Sequence, residues 1–186
     1  MAQSRRRALV LLAALPAAAC GFEPVYMPTS SGTPGVAQRD LAAVDVAIIA
    51  DRPGQELRQE LQTRFEGASG ATMPPKYRLG VNYSIAGEVL GIQEDSTATR
   101  VRLVARADWT LTGPDGAGPP LTHGRARGFD AVNLFDQQYF ASDLGVEQAQ
   151  KRLAKTVADQ ITMELAAYFR RQAGLGVSAN AGKTGG

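Results

Sequence analysis

The sequence predicts an α+β domain, a two-layer sandwich in the order β-α-β-β-β-α with two helices packed on one face of a four-stranded mixed sheet. Three observations carry this. A short β-branched run leads into an apolar stripe of helical period; three longer runs then alternate apolar and polar residues with period two; and a last stripe repeats at steps of three and four from Val146 to Phe169. A chain of 186 residues has room for one such domain with its ends, not for two large ones.

The first strand is Val44-Asp45-Val46-Ala47-Ile48-Ile49-Ala50, closed by Asp51, Pro53 and Gly54. Residues 55–66 place Leu57, Leu61 and Phe65 four apart, an amphipathic helix whose wet face is Arg58, Gln59, Glu60 and Gln62. Gly67 and Gly70 stop it, and Pro74 and Pro75 carry the chain into the second strand. There Tyr77, Leu79, Val81, Tyr83 and Ile85 point one way and Arg78, Asn82 and Ser84 the other. Beyond Gly87 the phase shifts to Leu90 and Ile92, which predicts a bulge at Ala86-Gly87.

The third strand puts Val101, Leu103, Ala105, Ala107, Trp109 and Leu111 on one face and Arg100, Arg102, Arg106, Asp108 and Thr110 on the other. Gly113-Pro114-Asp115-Gly116 turns it into a fourth strand over residues 121–132. That strand carries Gly124, Ala126 and Gly128 on one side, small enough for a helix to approach, and Arg125, Arg127 and Phe129 on the other. The closing helix, residues 145–171, buries Val146, Ala149, Leu153, Val157, Ile161, Leu165 and Phe169 and spans about 40 Å at 1.5 Å per residue. The first crossover is expected to be right-handed and the last three strands an antiparallel meander.

The ends have a different composition. Arg5, Arg6 and Arg7 precede an apolar run from Ala8 to Ala19, too short to span a bilayer and shaped like a signal peptide over residues 1–19. Ala17, Ala18 and Ala19 lead to Cys20 as in a bacterial lipobox, with Ala17 where leucine is usual. This makes Cys20 the expected lipidation site and first mature residue, with acyl chains that would hold the protein at a membrane face, the alternative being ordinary signal cleavage near Ala19 that leaves a free thiol. Residues 20–40, with Pro24, Pro28 and Pro34, read as lipidated N-terminus and flexible tether; residues 41–173 as the single domain; residues 174–186 as a disordered tail rich in Gly, Ala, Ser and Asn. Gly182-Lys183-Thr184 is not a P-loop, because Val177 stands where its first glycine belongs and no strand precedes it.

Charge and chemistry narrow the function. The formal charge is +2, but the 20 basic residues less the three leader arginines leave 17 against 18 acidic. That balance argues against nucleic acid as a partner. One cysteine and one histidine, His123, leave no disulfide framework within the chain and no Cys/His zinc site. His123 has no nucleophile motif beside it, and Glu94-Asp95 reads as a solvated turn, so no catalytic residues, no metal and no cofactor beyond the lipid on Cys20 are expected. Arg100, Arg102, Arg106, Arg125 and Arg127, brought together by antiparallel pairing, are the candidate contact for phosphate or carboxylate groups, which arginine binds bidentately. A charged face that only blunts edge pairing reads the same way. Phe135, Tyr139 and Phe140, in a long loop over residues 133–142, are candidate interface anchors.

Cys20-Gly21-Phe22-Glu23-Pro24-Val25-Tyr26, Ala98-Thr99-Arg100 entering a Leu/Val/Ala strand, and the helix from Ala158-Asp159-Gln160-Ile161 to Ala167-Tyr168-Phe169 resemble, in order, the LptE family of lipopolysaccharide-assembly lipoproteins in its alphaproteobacterial forms. The resemblance implies a non-enzymatic lipoprotein anchored on the periplasmic side of the outer membrane. It further implies that such a protein binds and stabilises the LptD β-barrel as its plug, and contacts lipopolysaccharide. On the residues alone, a lipoprotein subunit of an envelope ABC-type transport system, binding a ligand itself, remains the alternative.

Overall fold

The computed structural model describes residues 35–67, 74–92, 98–133 and 139–181. Its elements are α1 (Val36–Ala42), β1 (Val44–Val46), α2 (Arg52–Gly67), β2 (Tyr77–Ile92), β3 (Ala98–Thr112), β4 (Thr122–Asn133) and α3 (Tyr139–Ala181). The predicted order holds with one helix added in front. The strands form a single sheet in the order β1-β2-β3-β4. β1 runs parallel to β2, Val44 opposite Tyr77, while β2, β3 and β4 form the antiparallel meander.

β1 is short because only three residues reach the ladder. The Ala43 carbonyl accepts hydrogen bonds from the Lys76 and Tyr77 N–H groups, and Ala47 N–H donates to the Leu79 carbonyl at 2.9 Å before the chain leaves the sheet. Asp51 then turns in the left-handed region, φ 64°, which an aspartate tolerates, and its carbonyl accepts from Gln55 N–H in the first turn of α2. Gly54 has to be glycine or nearly so, since a Cβ there would lie 2.7 Å from Ile49 Cγ2.

Both long helices cover the same face of the sheet. Leu57, Leu61 and Phe65 of α2 and Ala149, Leu153, Val157, Ile161, Leu165 and Phe169 of α3 are buried against Leu79, Leu103, Ala105, Ala107, Trp109 and Leu111. α3 lies chiefly on β4, where glycine lets it approach: a Cβ on Gly128 would meet Leu153 Cδ2 at 3.0 Å. Tyr77 and Phe169 close one end of this core, ring centroids 5.0 Å apart and tilted at 42°. Polar clamps fix the layers around the apolar interior. Arg64 of α2 reaches Asp159 of α3 at 2.8 Å, and Arg152 of α3 reaches Asp130 of β4 at 2.8 Å. No described helix is long and apolar enough to cross a membrane.

Four expectations need correction. Residues 36–40, assigned to the tether, belong to α1: the Gln38 side chain accepts from Gly35 N–H at 2.9 Å, and Ala37 and Leu41 are buried. The bulge is not at Ala86-Gly87. Those residues stay in register with Val104 and Leu103, and the pairing slips between Val89 and Gly91 and again between Gly91 and Ile92. Tyr139 and Phe140 belong to the first turn of α3 rather than to a loop. The helix also continues to Ala181, so backbone assigned to the tail from Gly174 onward extends it; α3 is about 64 Å long. The signal peptide, Cys20, Glu94-Asp95, Phe135 and residues 182–186 lie outside the described residues.

Candidate functional site

The face of the sheet turned away from the helices is where period two sends the arginines. Strand register lays it out in rows: Glu88-Arg102-Ala131, Ala86-Val104-Phe129, Ser84-Arg106-Arg127 and Asn82-Asp108-Arg125 from β2 through β3 to β4, with Arg100 beyond, opposite Asn133. All five predicted arginines therefore stand on this face, and all are exposed.

They are not five equivalent cations. Arg102 pairs with Glu88 at 3.0 Å and Arg125 with Asp108 at 2.9 Å, so two of the five are already matched by acids on the same face. Arg106 and Arg127 stand directly opposite each other, and among the described residues neither they nor Arg100 make an ion pair. Their spacing follows from a backbone detail. The Gln160 side-chain amide accepts from Arg127 N–H at 3.0 Å and donates to its carbonyl at 2.8 Å, so the backbone of Arg127 faces outward from the sheet. Arg106 and Arg127 thus form a non-hydrogen-bonded pair, the register in which facing residues come closest, Cα atoms about 4.5 Å apart. Two like charges there repel, by about 1 kcal/mol or less in water.

Beside the pair lies an apolar spot. Val104 is only 4% exposed although it lies on the open face, while its neighbour Phe129 is 65% exposed. Two unpaired guanidiniums flanked by an aromatic ring and aliphatic surface can hold a phosphorylated group through bidentate hydrogen bonds and let the ring take the attached apolar portion. Sequence alternation located the arginines but missed Glu88, Asp108 and Val104 as their partners. Part of the signal was there: Asp108 shares the alternation of Arg106, but its place directly opposite Arg125 is fixed only by the β3–β4 register.

Other singled-out residues lie apart from this face or at its end. His123 is exposed opposite Thr110, and Phe140 is 93% exposed on the first turn of α3. In the interlayer region, burial and then the charge of Glu56 push the Tyr83 hydroxyl up to about 12, and among the described residues neither Tyr83 Oη nor Glu56 Oε2 has a hydrogen-bond partner. The Glu147 carboxyl is held below the usual range by its hydrogen bond to Lys151 and by the charges of Lys151 and Arg52.

Residues 41–165 match the profile of the family described as LptE, lipopolysaccharide-assembly. The chain belongs to the LptE family. Among solved structures it is similar to a protein from Caulobacter crescentus CB15 described as a lipoprotein, with TM-score 0.58 and 22% identity over 72% of this chain and 96% of that one. It is also similar to the rare lipoprotein B of Shewanella oneidensis, with TM-score 0.52 and 11% identity over 70% and 98% of the two chains. At these identities the likeness speaks for the fold. No curated protein sequence matches this chain. Family membership rests on the stretch from Leu41 into α3, which contains the whole sheet and therefore the arginine face.

Proposed function

We propose that this LptE-family chain is a lipoprotein anchored through Cys20 on the periplasmic side of the outer membrane. It binds and stabilises an LptD-like β-barrel as its plug, and it serves lipopolysaccharide assembly by binding rather than by catalysis. The observation that carries this reading is the opposed pair Arg106 and Arg127, unpaired and exposed beside Phe129, on the sheet of a lipopolysaccharide-assembly domain. Folding gains nothing from that pair, whereas a phosphorylated, acylated glycolipid supplies both the anion and the apolar group that the face accommodates. Acidic residues on a barrel wall would satisfy the same guanidiniums, so barrel and glycolipid share one recognition chemistry.

The test is affinity purification of the full-length protein from detergent-solubilised membranes, with mass spectrometry of what comes along. The expected result is one large outer-membrane β-barrel protein. Recovery of a permease and ATPase instead would contradict the proposal and favour a transport-system subunit.

A further inference from the structure

The two edges of the sheet are finished differently. β4 is closed off by side chains: Gln160 takes both backbone groups of Arg127, Asp130 accepts from Ala131 N–H at 2.8 Å, and Arg152 holds Asp130 in place. Arg125 and Arg127 add charge to the same strand, the usual protection against unwanted strand pairing. At the other edge β1 covers only Tyr77 to Leu79 of β2.

Because Ala47 N–H donates to the Leu79 carbonyl, the odd-numbered residues of β2 present their backbone groups to that edge. Past Leu79 these are Val81, Tyr83, Ile85, Gly87 and Val89, and no described element pairs with them. From Val81 to Val89 the strand holds no proline and a single charge, Glu88, which Arg102 neutralises. An edge this long, this apolar and without lysine or proline is a template for another strand.

Alongside it lies a groove of about 310 Å³. Ile85, Gly87 and Leu103 form its apolar side, Asp51 and Pro53 its opposite rim, and Tyr83 lines it. Asp51 has no ion pair among the described residues, and Oε2 of Glu56, coupled electrostatically to Tyr83, is sealed off without a partner.

We propose that the free edge of β2 is a strand-addition site, where an extended segment of the protein partner pairs with residues 81–89 and sends an apolar side chain over Ile85 and Leu103 and a basic one toward Asp51. The extended form follows from the row of free backbone groups, and the basic side chain from the unpaired acid on the rim. A second copy of this chain is a poorer occupant, because residues 81–89 of its own β2 offer no basic residue to Asp51. The inference rests on the reading that the chain binds a barrel protein, and it assigns that contact to an edge remote from β4.

The experiment places p-benzoylphenylalanine at Val89 in the full-length lipoprotein, and at Leu121 as a control beyond the opposite end of the sheet, followed by irradiation in cells and identification of adducts. Ile85→Pro is compared in the same purification. Its N–H points away from β3, so the β2–β3 ladder loses no hydrogen bond. The expected result is a barrel adduct from Val89 and none from Leu121, mapped to a segment carrying lysine or arginine. Barrel recovery with Ile85→Pro should fall about tenfold, the scale of one or two backbone hydrogen bonds. Its melting temperature should shift by less than about 4 °C. If the barrel is recovered undiminished and Val89 yields no adduct, strand addition is overturned while barrel binding stands. An adduct with a second copy overturns it in favour of self-association, and failure of the wild-type chain to recover any barrel removes both.

Discussion

The helix-facing and open faces of the sheet are made by the same strands, yet they obey different constraints. On β3, Leu103, Ala105, Ala107, Trp109 and Leu111 are all buried under the helices, while Arg102, Arg106 and Asp108, each one residue away, stand in water. On the first face, shape decides identity: glycine at 124 and 128 is set by how closely Trp109 and Leu153 approach. On the second, a like-charge pair is kept in the closest register of an antiparallel ladder, which no packing argument requires. Substitutions on the first face should therefore be read in stability, and substitutions on the second in binding.

The largest expected effect breaks the packed face. Leu153→Ala or Ile161→Ala should cost about 2 to 5 kcal/mol in chemical denaturation, because both are fully covered and leave a cavity. Values below about 1 kcal/mol would mean that α3 is not the main core element. Next come the glycines: Gly124→Ala puts a Cβ 2.5 Å from Trp109 Cζ2 and should cost about 1 to 3 kcal/mol by overpacking. Gly113→Ala, with open space around it, serves as the control.

The polar pairs should matter far less. A double-mutant cycle on Arg102 and Glu88, both roughly half exposed, should give a coupling of about 0.2 to 1 kcal/mol that shrinks with salt. A larger coupling would make the open face a stability element after all. Smallest at ordinary pH is the effect of Tyr83. Its folded-state pKa is raised to about 12, so its contribution is present below the ordinary tyrosine range near 10 and is lost as the pH rises through 12. Ultraviolet titration should show a tyrosine ionising near 12 that vanishes in Tyr83→Phe, while Tyr77, whose hydroxyl burial also raises, keeps its upward shift. A variant with an unchanged titration curve would refute the assignment.

Period two and period 3.6 were enough to read the sheet, both long helices and the side on which each arginine stands, since burying one face of an alternating strand exposes the other. Register was not readable in the same way. That Arg125 meets Asp108 while Arg127 meets Arg106 depends on the pairing across the 113–121 connection, and a shift by two residues would have put Arg127 opposite Asp108 and Arg125 opposite Thr110 without changing any face. α1 escaped because seven residues behind Pro34-Gly35 carry only Ala37 and Leu41 as apolar anchors. The bulge was misplaced because Gly87 looked like the break; β2 instead keeps pace with β3 as far as Val89, and the glycine at the slip is Gly91. The open edge of β2 was hidden for a similar reason, because nothing in Val44-Asp45-Val46 announces that the first strand stops after three residues.

The most direct test of the central claim, that the open face is kept for binding, is one paired measurement on Arg106→Ser/Arg127→Ser. Its melting temperature is compared with that of the wild type, and so is its binding to purified lipopolysaccharide and to the proposed LptD-like barrel at low and at high salt. Stability is expected to hold or rise slightly as the repulsion is relieved, while binding to at least one of the two weakens, by more at low salt than at high. A variant that melts well below the wild type yet binds both with unchanged affinity would contradict it.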